Sequence, residues 1–186
     1  TWMRRQSHER EFCLVREKFM HARRNPEEGL LNAFSQDARG STKVKVNDSK
    51  GSGALARAIP IGLILAGDSK LAFDTAVNVA ALSHSNPVAY YSAGALAALM
   101  SCLMYGLTLP KALERVEVLL SKLHKTNTIL SLLTAAEEQA NNHPAGKSGT
   151  WDHLDAIISL GTGEQADEAL AIAAYVALAV DDPLDA

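Results

Sequence analysis

The segment Ala93–Met104, "AGALAALMSCLM", constrains the fold more than any other part of the chain. It is apolar nearly all round, and its residues are small or unbranched. A helix with no polar stripe has no face to give to water, so it must lie at the centre of a fold and be covered on several sides. Small residues let neighbouring helices approach closely, and Ala and Leu have high helix propensity. Aromatic residues make up only 5% of the chain, and period-two runs of β-branched residues are nearly absent. The reading is therefore all-α: one compact multi-helix domain or domain fragment over residues 1–186, long enough for one sizeable core and short for two.

Helical periodicity supports this along most of the chain. Helices are expected over Ser7–Arg24, Glu27–Ala38, Ala54–Ala66 (kinked at Pro60), Ser69–Leu82 with Ser69 as cap, and from Pro87 through Tyr105. A helix capped by Thr108 follows, where Leu109, Leu113, Val116, Leu120 and Leu123 recur at alternating steps of four and three. Ile129–Ala140, Asp152–Leu160 and Ala166–Val180 complete the set. The polar run "RGSTKVKVNDSKGSG" reads as a loop.

Charge and composition exclude some functions. A formal net charge of −3 argues against a nucleic-acid binder. The basic residues Arg4, Arg5, Arg10, Arg16, Lys18, Arg23 and Arg24 alternate with acidic ones, as on a solvated helix face. Cys13 and Cys102 lack metal-ligand spacing and read as buried thiols in a reducing compartment. No membrane-spanning run and no signal-peptide core are expected, which makes a cytoplasmic location the default. Both ends read as cuts, since the chain starts on Thr1-Trp2 and stops in a helical-looking region.

Few motifs carry chemistry. "GKS" at Gly146–Ser148 lacks the earlier Gly and the strand that a phosphate loop needs. His84, in the polar corner "LSHSNP" between two very apolar helices, reads equally as a cavity-facing side chain or as a capping or solvent-exposed one. "NDSKGSGALARAIPIGL", Asn47–Leu63, runs from a Gly/Ser loop straight into a helix. Gly51 and Gly53 allow positive φ and close approach of a ligand, Ser49 and Ser52 supply hydroxyls, and the helix start offers N–H groups. Such a stretch is a helix cap or a phosphate or sugar-diphosphate cradle, and taken alone it is more often a cap.

In combination these segments resemble one family. "NDSKGSGALARAIPIGL", "AALSHSNPVAYYSAGALAAL" (Ala80–Leu99) and "ADEALAIAAYVAL" (Ala166–Leu178) occur in the order and spacing of the ADP-ribosylglycohydrolases. "FMHARRNPEEGLLNAF", Phe19–Phe34, is similar to the stretch that leads into the family's loop. The resemblance implies an all-α fold and hydrolysis of the glycosidic bond between ADP-ribose and an acceptor, in a cleft beside two Mg²⁺ ions. It also implies that ADP-ribose contacts fall on Ser49, Gly51, Ser52 and Gly53, with His84 near the same cleft. Arg57 matches the motif's Arg and is assigned structural ion pairing.

Departures from the family pattern are mild at Ala56 (usually Met), Ser52 (Asn or Cys) and Ser83 (Thr). The family's acidic metal motifs are absent, although "VDDP", Val180–Pro183, looks like the loop before the last of them. Asp37, Asp48, Asp68 and Asp74 are scattered, and Asp48 reads as capping its own backbone. No metal ligand and no catalytic residue is therefore assigned in this chain, which reads as the central part of a larger domain. The rival readings are a binding member that holds ADP-ribose or a nucleotide without turnover, and a structural member. A part of a larger bundle would also expose apolar helix faces and self-associate through them.

Overall fold

A computed structural model describes residues 27–36, 39–144 and 149–180. Those residues are all-α, as expected: eight α-helices and one 3-10 helix, with no strand among them. The order is α1 (Glu28–Ser35), a 3-10 helix (Ser52–Arg57), α2 (Ala58–Ile64), α3 (Ser69–Ala81) and α4 (Pro87–Met104). Then come α5 (Leu109–Ser121), α6 (Asn127–Asn142), α7 (Thr150–Leu160) and α8 (Ala166–Ala179). The expected helix Ser7–Arg24, the basic cluster, Cys13, Gly146–Ser148 and Asp181–Pro183 lie outside the described residues.

The apolar segment is the hub. α4 packs against α2, α3, the 3-10 helix, α5 and α8, and α6 packs along α8. On α4 the side chains of Ala89, Ala93, Ala95, Ala97 and Ala98 are completely buried, and Cys102 is a buried free thiol. Pro87–Met104 does have the length and apolarity to cross a membrane, which corrects the expectation that no such run exists. Its burial on several sides marks it instead as a core helix. Close approach depends on two glycines: a Cβ on Gly62 would lie 2.5 Å from the Ala97 carbonyl oxygen, and one on Gly94 2.7 Å from Val77 Cγ2.

Local chemistry sets the boundaries. The expected single kinked helix over Ala54–Ala66 is a 3-10 turn leading into α2, with Pro60 in the first turn of α2. First-turn N–H groups have no helical partner, so Pro60 needs no kink there. Asp68 rather than Ser69 caps α3: its Oδ1 accepts from Leu71 N at 3.0 Å. Asn86 caps α4 by accepting from Val88 N at 3.0 Å, ahead of Pro87. Thr108 is the residue before α5, but its hydroxyl makes no cap bond. Leu113, Val116 and Leu120 form the buried stripe of α5 as their spacing predicts. The buried Thr126 closes that helix by donating from Oγ1 to the Leu120 carbonyl at 2.9 Å.

One strained spot lies between α5 and α6. Glu117 Oε1 is enclosed without a hydrogen-bond partner. Burial pushes its carboxyl up, helped by the charges of Glu137 and Glu114, and burial also pushes up Glu137.

Two predictions follow from packing and burial. Gly62→Ala should lower the thermal midpoint by roughly 2–12 °C, because overpacking costs about 1–3 kcal/mol and each ~1 kcal/mol shifts a chain this size by about 2–4 °C. An unchanged circular-dichroism melt would show that the α2–α4 contact is loose. Glu117 is raised in the folded state, so the stability it contributes is present below the ordinary carboxylate range and lost as pH rises through its folded value. Glu117→Gln should therefore raise the melting temperature by a few degrees at neutral pH and leave it nearly unchanged at acidic pH, in paired thermal scans.

Candidate functional site

The site is assembled by Asn47, the first residue of the quoted loop. Its Nδ2 donates to the carbonyls of Gly29 at 3.0 Å and Ser83 at 2.7 Å. Its Oδ1 accepts from Ser49 N and Ser85 N, both at 3.2 Å. Both amide hydrogens and both oxygen lone pairs are thus used, joining α1, the loop and the α3–α4 corner. Val46 N adds a bond to Ser85 Oγ at 2.9 Å. Asp48 does not cap its own backbone as expected. It accepts from Asn86 Nδ2 at 3.1 Å and pairs with Lys45 at 2.8 Å. The bond from Lys45, then that from Asn86, holds its carboxyl below the usual range.

At the corner, His84 is completely buried, which rules out the capping or solvent-exposed reading. Its Nδ1 lies 3.1 Å from Arg57 Nη2 and 2.9 Å from Ser83 Oγ, and its Nε2 lies 2.9 Å from Glu27 Oε2. A guanidinium can only donate, so Nδ1 accepts from Arg57, and Nε2 carries the hydrogen that Glu27 accepts. This tautomer is assigned from the partners. The imidazole thereby links Arg57 on one side to Glu27 on the other. Burial pushes the Arg57 guanidinium down from its ordinary value, and the charge of Glu27 opposes that shift. The ion pairing expected of Arg57 is therefore indirect, through the His84 ring.

The Glu27 carboxylate lies against the glycine loop. Its Oε1 accepts from Ser49 Oγ at 3.2 Å, and Ser49 Oγ accepts in turn from Gly51 N at 3.2 Å. A Cβ on Gly51 would fall 1.7 Å from Glu27 Oε1, and one on Gly53 would fall 1.9 Å from Oε2. With the Glu27 carboxylate in this position, neither glycine has room for a Cβ. Neither has a positive φ, and that of Gly51 is −57°, so the conformational reason offered from sequence is corrected.

Backbone groups also tie the loop to the entry of α8. Ser52 N donates to the Glu164 carbonyl at 2.9 Å, and Ala166 N to the Lys50 carbonyl at 2.8 Å. A single antiparallel bridge, Gly51 with Gln165, ties the loop to the entry of α8. Glu168 braces that entry by accepting from Thr162 N at 3.1 Å and Gly163 N at 3.2 Å.

Of the residues picked out in the sequence, Ser49, Gly51, Gly53 and His84 meet around one carboxylate. Ser52 is placed by its backbone toward Glu164 and is not among the partners of Glu27. Glu27 itself and Asn47 were missed. The Glu27 contacts span 22 residues to Ser49 and 57 to His84, so no local pattern announces them. Asn47 could have been found, since it opens the motif and is the residue type that can bind carbonyls and N–H groups together.

Among the described residues, no group of three His, Cys, Asp or Glu could hold a metal ion. The polar neighbours of Glu27 are His84 and Ser49, and those of Asp48 are Lys45 and Asn86. A pair of Mg²⁺ ions does not fit these donor sets.

The fold and site define an all-α protein in which a Gly/Ser loop, a buried corner histidine and the entry to an Ala-rich helix form one polar site. The family model for ADP-ribosylglycohydrolase matches residues 1–186. The chain belongs to the ADP-ribosylglycohydrolase family, which is in general metal-dependent and acts on ADP-ribosylated substrates. No curated protein and no solved structure matches it.

Asn47→Ala would leave two carbonyls and two N–H groups without their partner. The expected loss is about 1–3 kcal/mol, read as a lower urea midpoint at constant slope. Asn47→Asp keeps the acceptor but turns an anion toward two carbonyls, so it should lose at least as much. A mild effect from both variants would show that Asn47 does not hold the site together.

Proposed function

We propose that this chain supplies the ligand-positioning part of an ADP-ribosyl hydrolase. The ligand would be ADP-ribose or an ADP-ribosyl group, and the reaction hydrolysis of the bond between ADP-ribose and its acceptor. The observation that carries this reading is the buried His84, bonded at both ring nitrogens and fixing a half-buried carboxylate between two glycines that leave room for it. Burying a polar ring is costly unless it is fully paired. The pairing here directs one group, the Glu27 carboxylate, to the surface. Side chains held this rigidly can orient a bound sugar, and orientation alone can supply several kcal/mol of a reaction barrier. Membership of a family that acts on ADP-ribosylated substrates supports the choice of ligand.

The test is a calorimetric titration of ADP-ribose. Wild type should bind, and Gly53→Ala should weaken binding about tenfold or more, equivalent to ~1.4 kcal/mol. The new methyl meets side-chain atoms of Glu27 and no backbone, so the fold should survive while the carboxylate is displaced. Ser121→Ala, at an exposed position on α5, serves as the control and should bind as wild type does. Equal heats for wild type and Gly53→Ala would sink the assignment of this loop to the ligand.

A further inference from the structure

At the start of α3, away from the His84 corner, we infer a second binding site that takes a short-chain monocarboxylate. The 13 residues of α3 span roughly 20 Å, which separates the two places. The turn after α2, the first turn of α3, the end of α4 and the side of α5 border a cleft of about 200 Å³. Its lining is Gly67, Ser69, Cys102, Tyr105, Leu107 and Arg115. One water takes about 30 Å³ of liquid, so a small organic molecule has room there. A drug-sized ligand, whose sites run to roughly 300–1,000 Å³, does not.

The lining divides by chemistry. Ser69 is only 4% exposed, yet its hydroxyl has no hydrogen-bond partner among the described residues. Buried hydroxyls ordinarily have one. Ser69 also stands at the positive end of α3, where an acceptor is favoured. Arg115 is exposed on α5 and forms no ion pair among the described residues. The other charges at this corner are engaged: Asp68 accepts from Leu71 N at 3.0 Å and does not line the cleft, and Lys70 pairs with Asp74. Across from these donors the lining is apolar. The Cys102 thiol is buried and free, and Leu107 packs on the core. The Tyr105 ring lies against Gly67, where a Cβ would come within 2.9 Å of Cδ2. Gly67 has φ +87°, so the turn needs glycine for its backbone as well as for the ring. One cation and one hydroxyl match the two oxygens of a single carboxylate, and the apolar wall matches a short hydrocarbon chain. A phosphate dianion brings a second charge without a second cation and has nothing for the apolar wall.

The experiment follows amide NMR signals during titrations with sodium butyrate, butyramide and inorganic phosphate at constant ionic strength. Butyrate should move the signals of Gly67 and Leu107, whose N–H groups bind the carbonyls of Ser101 at 3.2 Å and Cys102 at 3.1 Å. Those of Ser49 and Ser85, at the far end of α3, should stay. Butyramide and phosphate should each bind about tenfold more weakly than butyrate, and Arg115→Gln should weaken butyrate about tenfold. Ser69→Ala should weaken it about fivefold. Four outcomes overturn the inference: no movement with butyrate, movement spread over the whole surface, butyramide or phosphate binding as well as butyrate, or Arg115→Gln binding as wild type does. Arg115 is exposed, so its replacement should leave the circular-dichroism melt unchanged. Should Arg115→Gln fail to fold, Arg115→Lys is expected to bind butyrate more weakly than wild type but still ahead of butyramide, and any other result counts against the inference. No arm uses ADP-ribose, so this site and the hydrolase reading fail separately.

Discussion

A completely buried imidazole sits where two apolar helices meet, and the rest of the site follows from satisfying it. In the apolar gap between α3 and α4, an unpaired ring nitrogen would be costly. Ser83 and Arg57 both lie against Nδ1, which joins the start of α2 to the corner, and Glu27 lies against Nε2, which joins the start of α1 to it. The polar network bridges segments that are far apart in sequence and packs α1 against the loop without a large apolar interface. Such networks are worth most when every member is paired. Here Asn47 completes the pairing for the backbone groups of the same junction.

The corner can be this tight because of the helices behind it. Alanines along α3 and α4, with Gly94 facing Val77 and Phe73, let the two helices run close, and Gly62 does the same for α2 against α4. Close helices leave little free volume at their junction, so a ring placed there is held on all sides. A core of larger side chains would spread the helices and admit water to His84. The small-residue composition that first pointed to an all-α fold is thus also a condition for the geometry of the site.

The fold was legible because helical periodicity is local: the α5 stripe of Leu113, Val116 and Leu120 and the all-round apolarity of α4 can be read within a few turns. Boundaries were harder, since caps depend on which of two adjacent polar residues turns back. Asp68 accepts from Leu71 N where Ser69, itself buried, was expected to do so. The resemblance of motifs singled out Ser49, Gly51, Gly53 and His84, which the fold brings together around Glu27. The organising carboxylate was not. Glu27 lies in a mixed-charge stretch where a glutamate is ordinarily a surface residue, and only the folded arrangement shows that its partners are a buried ring and two glycines.

That difference changes what the glycines mean. Glycine in a loop before a helix invites an argument from φ, yet Gly51 has an ordinary extended backbone that other residues adopt. What a side chain there would meet is the Glu27 carboxylate, which would have to move to admit it. The same fact bears on the surrounding pattern of charge. A loop with free N–H groups and a positive helix end would favour anions, whereas this loop has Gly51 N and Ser52 N already bonded and presents a carboxylate instead. The Arg57–His84–Glu27 line keeps that carboxylate in place without a direct bond between Arg57 and Glu27.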